Sequence, residues 1–489
     1  FFLPAMALAL KRKQTDALVK MLAAASEGVA KSGGDSDSYK VLVLDKYCRD
    51  IISPILKVND LRKHGVTLHL LVDADRQPIE EVPALYFLQA SAQNVARIVQ
   101  DASAGLYDSM YLNFSSVLPR PLMEELAAGA VRNECMGRIN KVYDQYMSFV
   151  ALKDTCFTLM QPRSYVQLND PTARDTEIEA AVGGIVDGLF SVFVTLGQVP
   201  VIRCPKGGVA EHVAGALDQR IRDHLGNRSN LFAESGPLAA AGGGFQRPLL
   251  CLFDRNFDLA TSLQHTWTYE PLVHEALGLK LNRVDVGKPG VGPAPPADKK
   301  SYDLDMAADF FWRENCLEPF PKVAEQVEVE LTKYKAAVDD VNRKTAAAQQ
   351  GGMDEDDAMS ESTRNIAKAV ASLPELTERK RVIDKHTNIA TALLGEIKAR
   401  QLDAYYQLEE VTLSAKPDGA EVLTALKEPN KGTPLDRLRL ALVYVLAAED
   451  KLPPDEAAEV EGALAAAGAD VTPLQYVRRL RSMGLTGAG

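Results

Sequence analysis

The chain has 489 residues, 46% of them hydrophobic and 25% charged, and its 55 Lys and Arg against 66 Asp and Glu give a formal net charge of −11. At about 150 residues per domain this length suggests about three domains, and the composition excludes wholesale disorder. The acidity, with a pI near 5.3, argues against a nucleic-acid binder, which would need a basic domain or face.

Residues 1–10 are apolar and Lys11, Arg12 and Lys13 follow them. A secretory signal carries its charge first, so this stretch is expected to be a gene-model remnant rather than an address. The first third then alternates strand and helix signals. Apolar runs at 41–44 and 66–72 end at Asp45 and Asp73, and 84–88 and 110–114 add two more strand candidates. Between the first two, Ile51, Ile55, Leu56 and Leu61 recur at helical spacing, and Gly65 closes the segment like a C-cap. Wholly apolar strands separated by helices predict a parallel sheet covered on both faces, a doubly wound α/β domain running to about residue 150. The pattern repeats in a second block: helix over 178–196, strand over 199–204, helix over 210–225. The run 247–253 reads as the clearest buried strand, after a surface loop at 234–244. A Pro/Gly-rich connector at 288–296 ends this texture. From Asp309 onward strand signals vanish. Charged amphipathic helices over 323–346 and 366–406 flank an acidic loop at 351–357, and 434–446, 455–467 and 473–483 form a last helical cluster.

Signals for chemistry are thin. No glycine follows the first strand, where Asp45-Lys46-Tyr47-Cys48 stands, so the dinucleotide fingerprint is missing, and no G-x-x-x-x-G-K-[ST] loop occurs. Gly242, Gly243 and Gly244 precede a strand and read as a loop. His265 and His274 lie near Asp254, Asp258 and Glu275, a donor set that could ligate a metal, but the spacing fits no standard ligand pattern. No G-x-S-x-G elbow occurs. Cys48, Cys135, Cys156, Cys204, Cys251 and Cys316 form no C-x-x-C pair, and most sit in apolar runs as buried reduced thiols do, which predicts a reducing compartment and no structural zinc. No apolar run approaches the roughly 18 residues of a membrane span. The most conspicuous segment is 252–269. Asp254 and Asp258 at the end of a buried strand suit a ligand crevice. Equally, they bracket Arg255 and satisfy loop backbone groups, with Tyr269 opening a packed helix. The residues alone leave both readings open.

That segment, with Asp254, Arg255, Asp258, Leu259, Ala260 and Thr261 followed by His265-Thr266-Trp267-Thr268-Tyr269, resembles the SM family, the Sec/Munc-type regulators of SNARE assembly, in its Sly branch of transport between endoplasmic reticulum and Golgi. Val142-Tyr143-Asp144-Gln145-Tyr146, Phe193-Val194-Thr195-Leu196-Gly197, Ser372-Leu373-Pro374-Glu375-Leu376 and Ile383-Asp384-Lys385-His386 agree, collinearly from about residue 14 to 482.

The resemblance implies a non-enzymatic arch of three domains: an α/β domain at 14–150, a second doubly wound α/β domain at 151–268 and a helical domain at 269–489. It also implies that the chain would continue beyond Gly489, so the middle domain is expected to be incomplete, with an unpaired sheet edge and exposed apolar surface. The implied function is vesicle trafficking and membrane fusion: binding a Golgi syntaxin of the syntaxin-five type through its N-terminal peptide and promoting assembly of the SNARE bundle. No cofactor, metal or nucleic acid is implied, and the protein is expected to be a cytoplasmic monomer held at ER and Golgi membranes through SNAREs. The peptide pocket carries over to Leu126, Ala127, Ile139, Val142 and Tyr143, with Asp144 meeting a peptide Arg, between a helix after Leu118 and Pro119 and a second helix running into Tyr146. Ile139, Val142, Tyr143 and Tyr146 do recur at i, i+3, i+4 and i+7, one helical stripe; spacing alone leaves open whether it lines a pocket or an internal core. The SNARE-templating hairpin carries over to Arg379, Lys380, Arg381, Lys385 and His386, a locally basic stretch suited to acidic SNARE helices and equally readable as a solvated face. The alternative function is a nucleotide- or metal-dependent enzyme using Asp254, Asp258 and His265.

Overall fold

Four apolar runs of the first third need partners for every backbone N–H and C=O, and they find them in one another. In the computed structural model, which describes residues 9–27, 39–79, 81–226, 231–232, 247–287, 299–350, 356–414, 418–429, 431–448 and 452–482, they form β1 (Lys40–Leu44), β2 (Val66–Leu71), β3 (Ala84–Leu88) and β4 (Met110–Phe114), joined by a fifth strand, β5 (Ile139–Asp144). The sheet is parallel throughout, in the order β2-β1-β3-β4-β5. Helices α1 (Leu10–Glu27), α2 (Lys46–Ile52), α3 (Val58–Lys63), α4 (Ala92–Ala104) and α5 (Arg120–Arg132) accompany it. Val43, Tyr86, Leu112 and Phe114 bury one face against Val95 and Ile98 of α4 and Leu126 and Ala130 of α5. Leu42, Leu44, Leu85 and Phe87, pointing the other way, are buried too, which explains the unbroken apolar runs.

The stripe at 139–146 is therefore not a helix. After α5 the chain turns at Glu134, at φ +51, and passes through a short 3₁₀ turn at Met136–Arg138, and residues 139–144 take up the free edge of β4. Six residues hold too few periods for spacing to separate helix from strand, and an open row of hydrogen-bonding groups on β4 decides the matter.

The rest of this part of the chain contains the hairpin β6 (Val150–Lys153) and β7 (Cys156–Thr158), then α6 (Ser164–Asn169), α7 (Asp175–Leu196), β8 (Val201–Arg203), α8 (Val209–Gly226) and β9 (Leu249–Cys251). Against the sequence expectation, α7 is long and apolar enough to cross a membrane by length and composition. Its Val186, Phe190 and Phe193 are buried with Phe149, Leu217 and Ile221, and its Asp187 pairs with Arg220. The run 247–253 is no buried strand: β9 has three residues and Leu249 is 61% exposed. Among the described residues β9 pairs only with β8, and Val201, Phe253 and Phe257 are exposed as well. Of the cysteines, Cys48, Cys135 and Cys316 are buried, but Cys156 and Cys251 are exposed and Cys204 half-buried. The loop at 234–244, the connector at 288–296 and most of the acidic loop at 351–357 lie outside the described residues.

Contacts divide the chain into two units, Phe1–Asp254 and Arg255–Gly489. In the second, α9 (Leu259–Leu263), α10 (Tyr269–Leu277), the antiparallel pair β10 (Arg283–Val286) and β11 (Lys300–Asp303), and α11 (Phe310–Asn315) precede two long helices, α12 (Phe320–Gln350) and α13 (Asp356–Arg400), which pack on each other. Gln401, at φ +53, breaks α13 from α14 (Leu402–Ser414). A cluster of α15 (Gly419–Lys427), α16 (Pro434–Ala447), α17 (Pro454–Ala466) and α18 (Thr472–Ser482) follows, and no strand occurs among the described residues after Asp303. One core gathers Tyr269, Trp312, Val323, Val382, Ile389 and Leu393; another gathers Tyr405, Val422, Leu440, Val445, Val460 and Leu474.

Candidate partner-binding site

The register between β4 and β5 determines what the edge strand offers. Met110 pairs with Ile139, but Tyr111 pairs with Lys141 and Leu112 with Val142, so Asn140 is an extra residue in β5. Such a bulge re-aims the side chains beyond it. Ile139, Val142 and Asp144 consequently stand opposite Met110, Leu112 and Phe114, the face on which α5 packs. Lys141 and Tyr143 stand opposite Tyr111 and Asn113 and point the other way. Tyr143 therefore does not share a wall with Val142, as a helical stripe would have required. On α5, Leu126 is buried and Ala127 exposed; Ile139 is half-buried against the same core, and Val142 is 39% exposed. The sequence reading missed Met123, 47% exposed and one turn before Ala127; its signal was the i, i+4 spacing from that residue.

Asp144 closes this apolar strip at the strand's end. Its carboxylate accepts the amide of Leu118 at 3.0 Å, and burial pushes its pKa up, only partly offset by that bond. Among the described residues no ion pair neutralises it. A half-buried carboxylate with one hydrogen bond beside an apolar strip is suited to a guanidinium or ammonium carried by an apolar peptide.

The five basic candidates of α13 separate sharply. Lys380 and Arg381 are exposed, the latter bonded to Glu378 at 2.5 Å and 2.9 Å. Arg379 bonds Glu330 of α12 at 2.5 Å and stacks over Phe310. Lys385 and His386 are buried and cannot meet a partner. Lys385 pairs with Asp309 and donates to the carbonyl of Asp303 at 3.1 Å. His386 lies on the inward stripe with Val382, Ile389 and Leu393. Its Nε2 donates to Asp309 at 3.0 Å and its Nδ1 accepts from the Tyr269 hydroxyl at 2.9 Å. Burial lowers its pKa, so the ring is neutral, and these two bonds assign its tautomer.

The residues of the enzyme alternative each have a structural task of their own. Asp254 accepts the amide of Ala210 at 3.2 Å, at the start of α8. Asp258 caps α9, accepting the amide and hydroxyl of Thr261 at 3.0 Å and 2.6 Å. Arg255 lies exposed in a short 3₁₀ turn. His265 is buried elsewhere: Nδ1 donates to Glu409 at 2.7 Å and Nε2 to Asp436 at 3.1 Å. His265, Glu275 and Asp436 do bring ligand atoms within 4.8 Å of one another. However, Arg400 bonds Asp436 at 2.6 Å, and Arg439 bonds Glu275 at 2.7 Å and the carbonyls of Leu263 and Gln264. With Glu409, three carboxylates face two guanidiniums and one imidazolium, so the cluster is already neutral and a metal cation would have to displace an arginine. The dinucleotide crevice is closed as well. At the end of β1, where the strand order reverses, Asp45 binds the amides of Cys48 and Gln89 and the side chain of Asn94, all within 2.9 Å.

Burial disfavours the charged form of His265, but hydrogen bonds to Asp436 and Glu409 outweigh it and raise its pKa above 6.5. Stability from this imidazolium is therefore complete below pH 6.5 and is lost as pH rises through the raised value. The unfolding midpoint of the native chain should fall over that window, and His265→Gln should flatten this part of the profile. An unchanged profile in the variant would show that His265 does not titrate there.

Residues 40–488 match the Sec1 family. The chain belongs to that family. Within it, the chain is 47% identical over 481 residues to the SEC1 family transport protein SLY1 of Arabidopsis thaliana, covering 98% of this chain and 74% of that relative. It is 42% identical to Sec1 family domain-containing protein 1 of Rattus norvegicus, covering 98% and 77%. The crystal structure of Sly1p in complex with an N-terminal peptide of Sed5p superposes with a TM-score of 0.74 at 31% identity, over 97% of this chain and 74% of that one. This places the chain in the Sly1 branch of Sec1-family transport proteins, which are not enzymes, and its mixed α/β fold with a parallel sheet and many helices is the fold of Sly1p.

Proposed function

We propose that this Sec1-family chain regulates membrane fusion between endoplasmic reticulum and Golgi by binding the N-terminal peptide of a syntaxin along α5 and β5 and promoting SNARE assembly. The bulge at Asn140 carries this reading. It sets Ile139, Val142 and Asp144 on the sheet face on which α5 packs, and α5 exposes Met123 and Ala127, while Leu126 is buried in the core and offers the peptide no surface. Sly1p, related over 97% of this chain, was crystallised with the N-terminal peptide of Sed5p. In this reading apolar peptide side chains lie between Val142 and α5 while a peptide Arg meets Asp144, and Tyr143 takes no part. Of the five basic candidates on α13, Lys380 and Arg381 are the exposed ones, and in this reading they face a SNARE helix. We further infer three domains, at 14–150, 151–268 and 269–489, and a cytoplasmic protein held at ER and Golgi membranes through its SNAREs.

Calorimetry of the full chain with a synthetic syntaxin N-terminal peptide tests this. Binding is expected at micromolar concentration or tighter. Asp144→Asn should weaken it about tenfold, as loss of a charge-assisted hydrogen bond does, and should reduce its dependence on salt. No heat at tens of micromolar peptide, with the native unfolding transition intact, would overturn the proposal.

A further inference from the structure

Helices α14 and α15 both pack on α16, leaving a groove of about 430 Å³ between them. The two walls have the same construction. Ala404, Gln407, Leu408 and Val411 face it from α14 at i, i+3, i+4 and i+7; Glu421, Thr424 and Ala425 of α15, with Glu428 just past its end, face it at the same spacing. The buried stripes of these helices, Leu402, Tyr405 and Glu409 on one and Val422, Ala425 and Leu426 on the other, point into the core; Ala425 forms the floor of the groove, while Gln407, Val411, Glu421 and Thr424 stand exposed along it. Small residues, Ala404, Thr424 and Ala425, let a third backbone approach closely, while Val411 stands 49% exposed. Ridges of a third helix fit between two such rows.

The charge on the walls says what that helix carries. Glu421 and Glu428 lie on one side, and among the described residues the one cation lining the groove is Lys431, which is tied to Glu428 at 3.1 Å. Among the described residues Glu421 has no ion-pair partner. We propose that the α14–α15 groove docks a short amphipathic helix of a partner protein, with an aliphatic or small-residue stripe toward Val411 and Leu408 and an Arg or Lys toward Glu421. This surface lies in the second unit and is independent of the peptide strip on α5 and β5.

Fluorescence anisotropy with a designed helical peptide of about five turns, an Ala/Leu stripe flanked by Lys, reads binding to the full chain; the same peptide with Glu for Lys is the control. Saturable binding of the Lys peptide is expected. Val411→Asp and Glu421→Lys, both at exposed positions, should each weaken the interaction at least about tenfold without moving the unfolding midpoint, and Glu421→Lys should gain the Glu peptide. Affinity for the syntaxin peptide should be unchanged in both, which separates failure here from failure of the proposed function. Absence of saturable binding, or binding indifferent to both substitutions, overturns the proposal. So does a concentration-dependent dimer in sedimentation that Val411→Asp dissociates, because the occupant would then be a second copy of the chain.

Discussion

Asp309→Ala is expected to destabilise the unit at 255–489 by about 3–5 kcal/mol, the cost of leaving a buried charge without its partner. Asp309 caps α11 through the amide of Trp312 at 2.9 Å, accepts Nε2 of His386 at 3.0 Å and pairs with Lys385, whose side chain is almost wholly buried. Alanine removes all three at once and strands the ammonium of Lys385 beside one backbone carbonyl. Asp309→Asn, which keeps a cap and an acceptor, should cost less. Denaturant unfolding reads the difference, and a change below about 1 kcal/mol for alanine would mean that Lys385 finds water. Acid should act on the same cluster. Burial raises the Asp309 pKa, but its bonds to His386 and Lys385 prevail and hold it at about 2. Its contribution is present above pH 3.8 and lost as pH falls toward 2. His386, with its pKa lowered by burial, loses stability as pH falls below 6.5. In Asp309→Ala the acid limb of the stability profile should be shallower.

Val142→Asp is expected to lower affinity for the syntaxin peptide at least about 100-fold, since it sets a second carboxylate into the apolar strip and desolvates it on binding. The fold should tolerate it within about 1 kcal/mol, because Val142 is an exposed position of an edge strand. Tyr143→Ala is the internal control. That side chain faces away from α5, so affinity should stay within about twofold of native. Equal losses at both positions would mean that the peptide wraps the edge of β5. Unfolding of the Val142 variant would place that residue in the core.

The parts of the fold that are buried on both sides were legible. Val41, Leu42, Val43 and Leu44, or Leu85, Tyr86 and Phe87, have no polar alternate position because helices cover both faces, and so a run of apolar residues marks the strand unaided. β5 lies at the edge, polar at Asn140 and Lys141, with its alternation reset by the bulge, and its residues imitate a helical stripe. Leu249 and Leu250 mislead in the opposite direction: an apolar run reports a strand without reporting what covers it. For charge the difficulty is distance. Lys385 and His386 look like surface residues beside Arg379 and Lys380, and are buried only because Asp309 and Tyr269, some way back along the chain, supply their counter-charge and hydrogen bond. Asp258 could be read correctly, since its partner, Thr261, is three residues away, the span of a helix cap.

Asn140 has no partner in the β4 register, and among the described residues its amide reaches the Tyr111 hydroxyl alone, at 3.4 Å. Its identity is therefore nearly free, while its presence is not. Removing that one residue would return β5 to even pairing with β4 and turn Val142 and Asp144 toward the opposite side of the sheet. A family alignment at this position should accordingly tolerate many amino acids and no gap, so that the specificity of the strip is inherited as a chain length rather than as a residue.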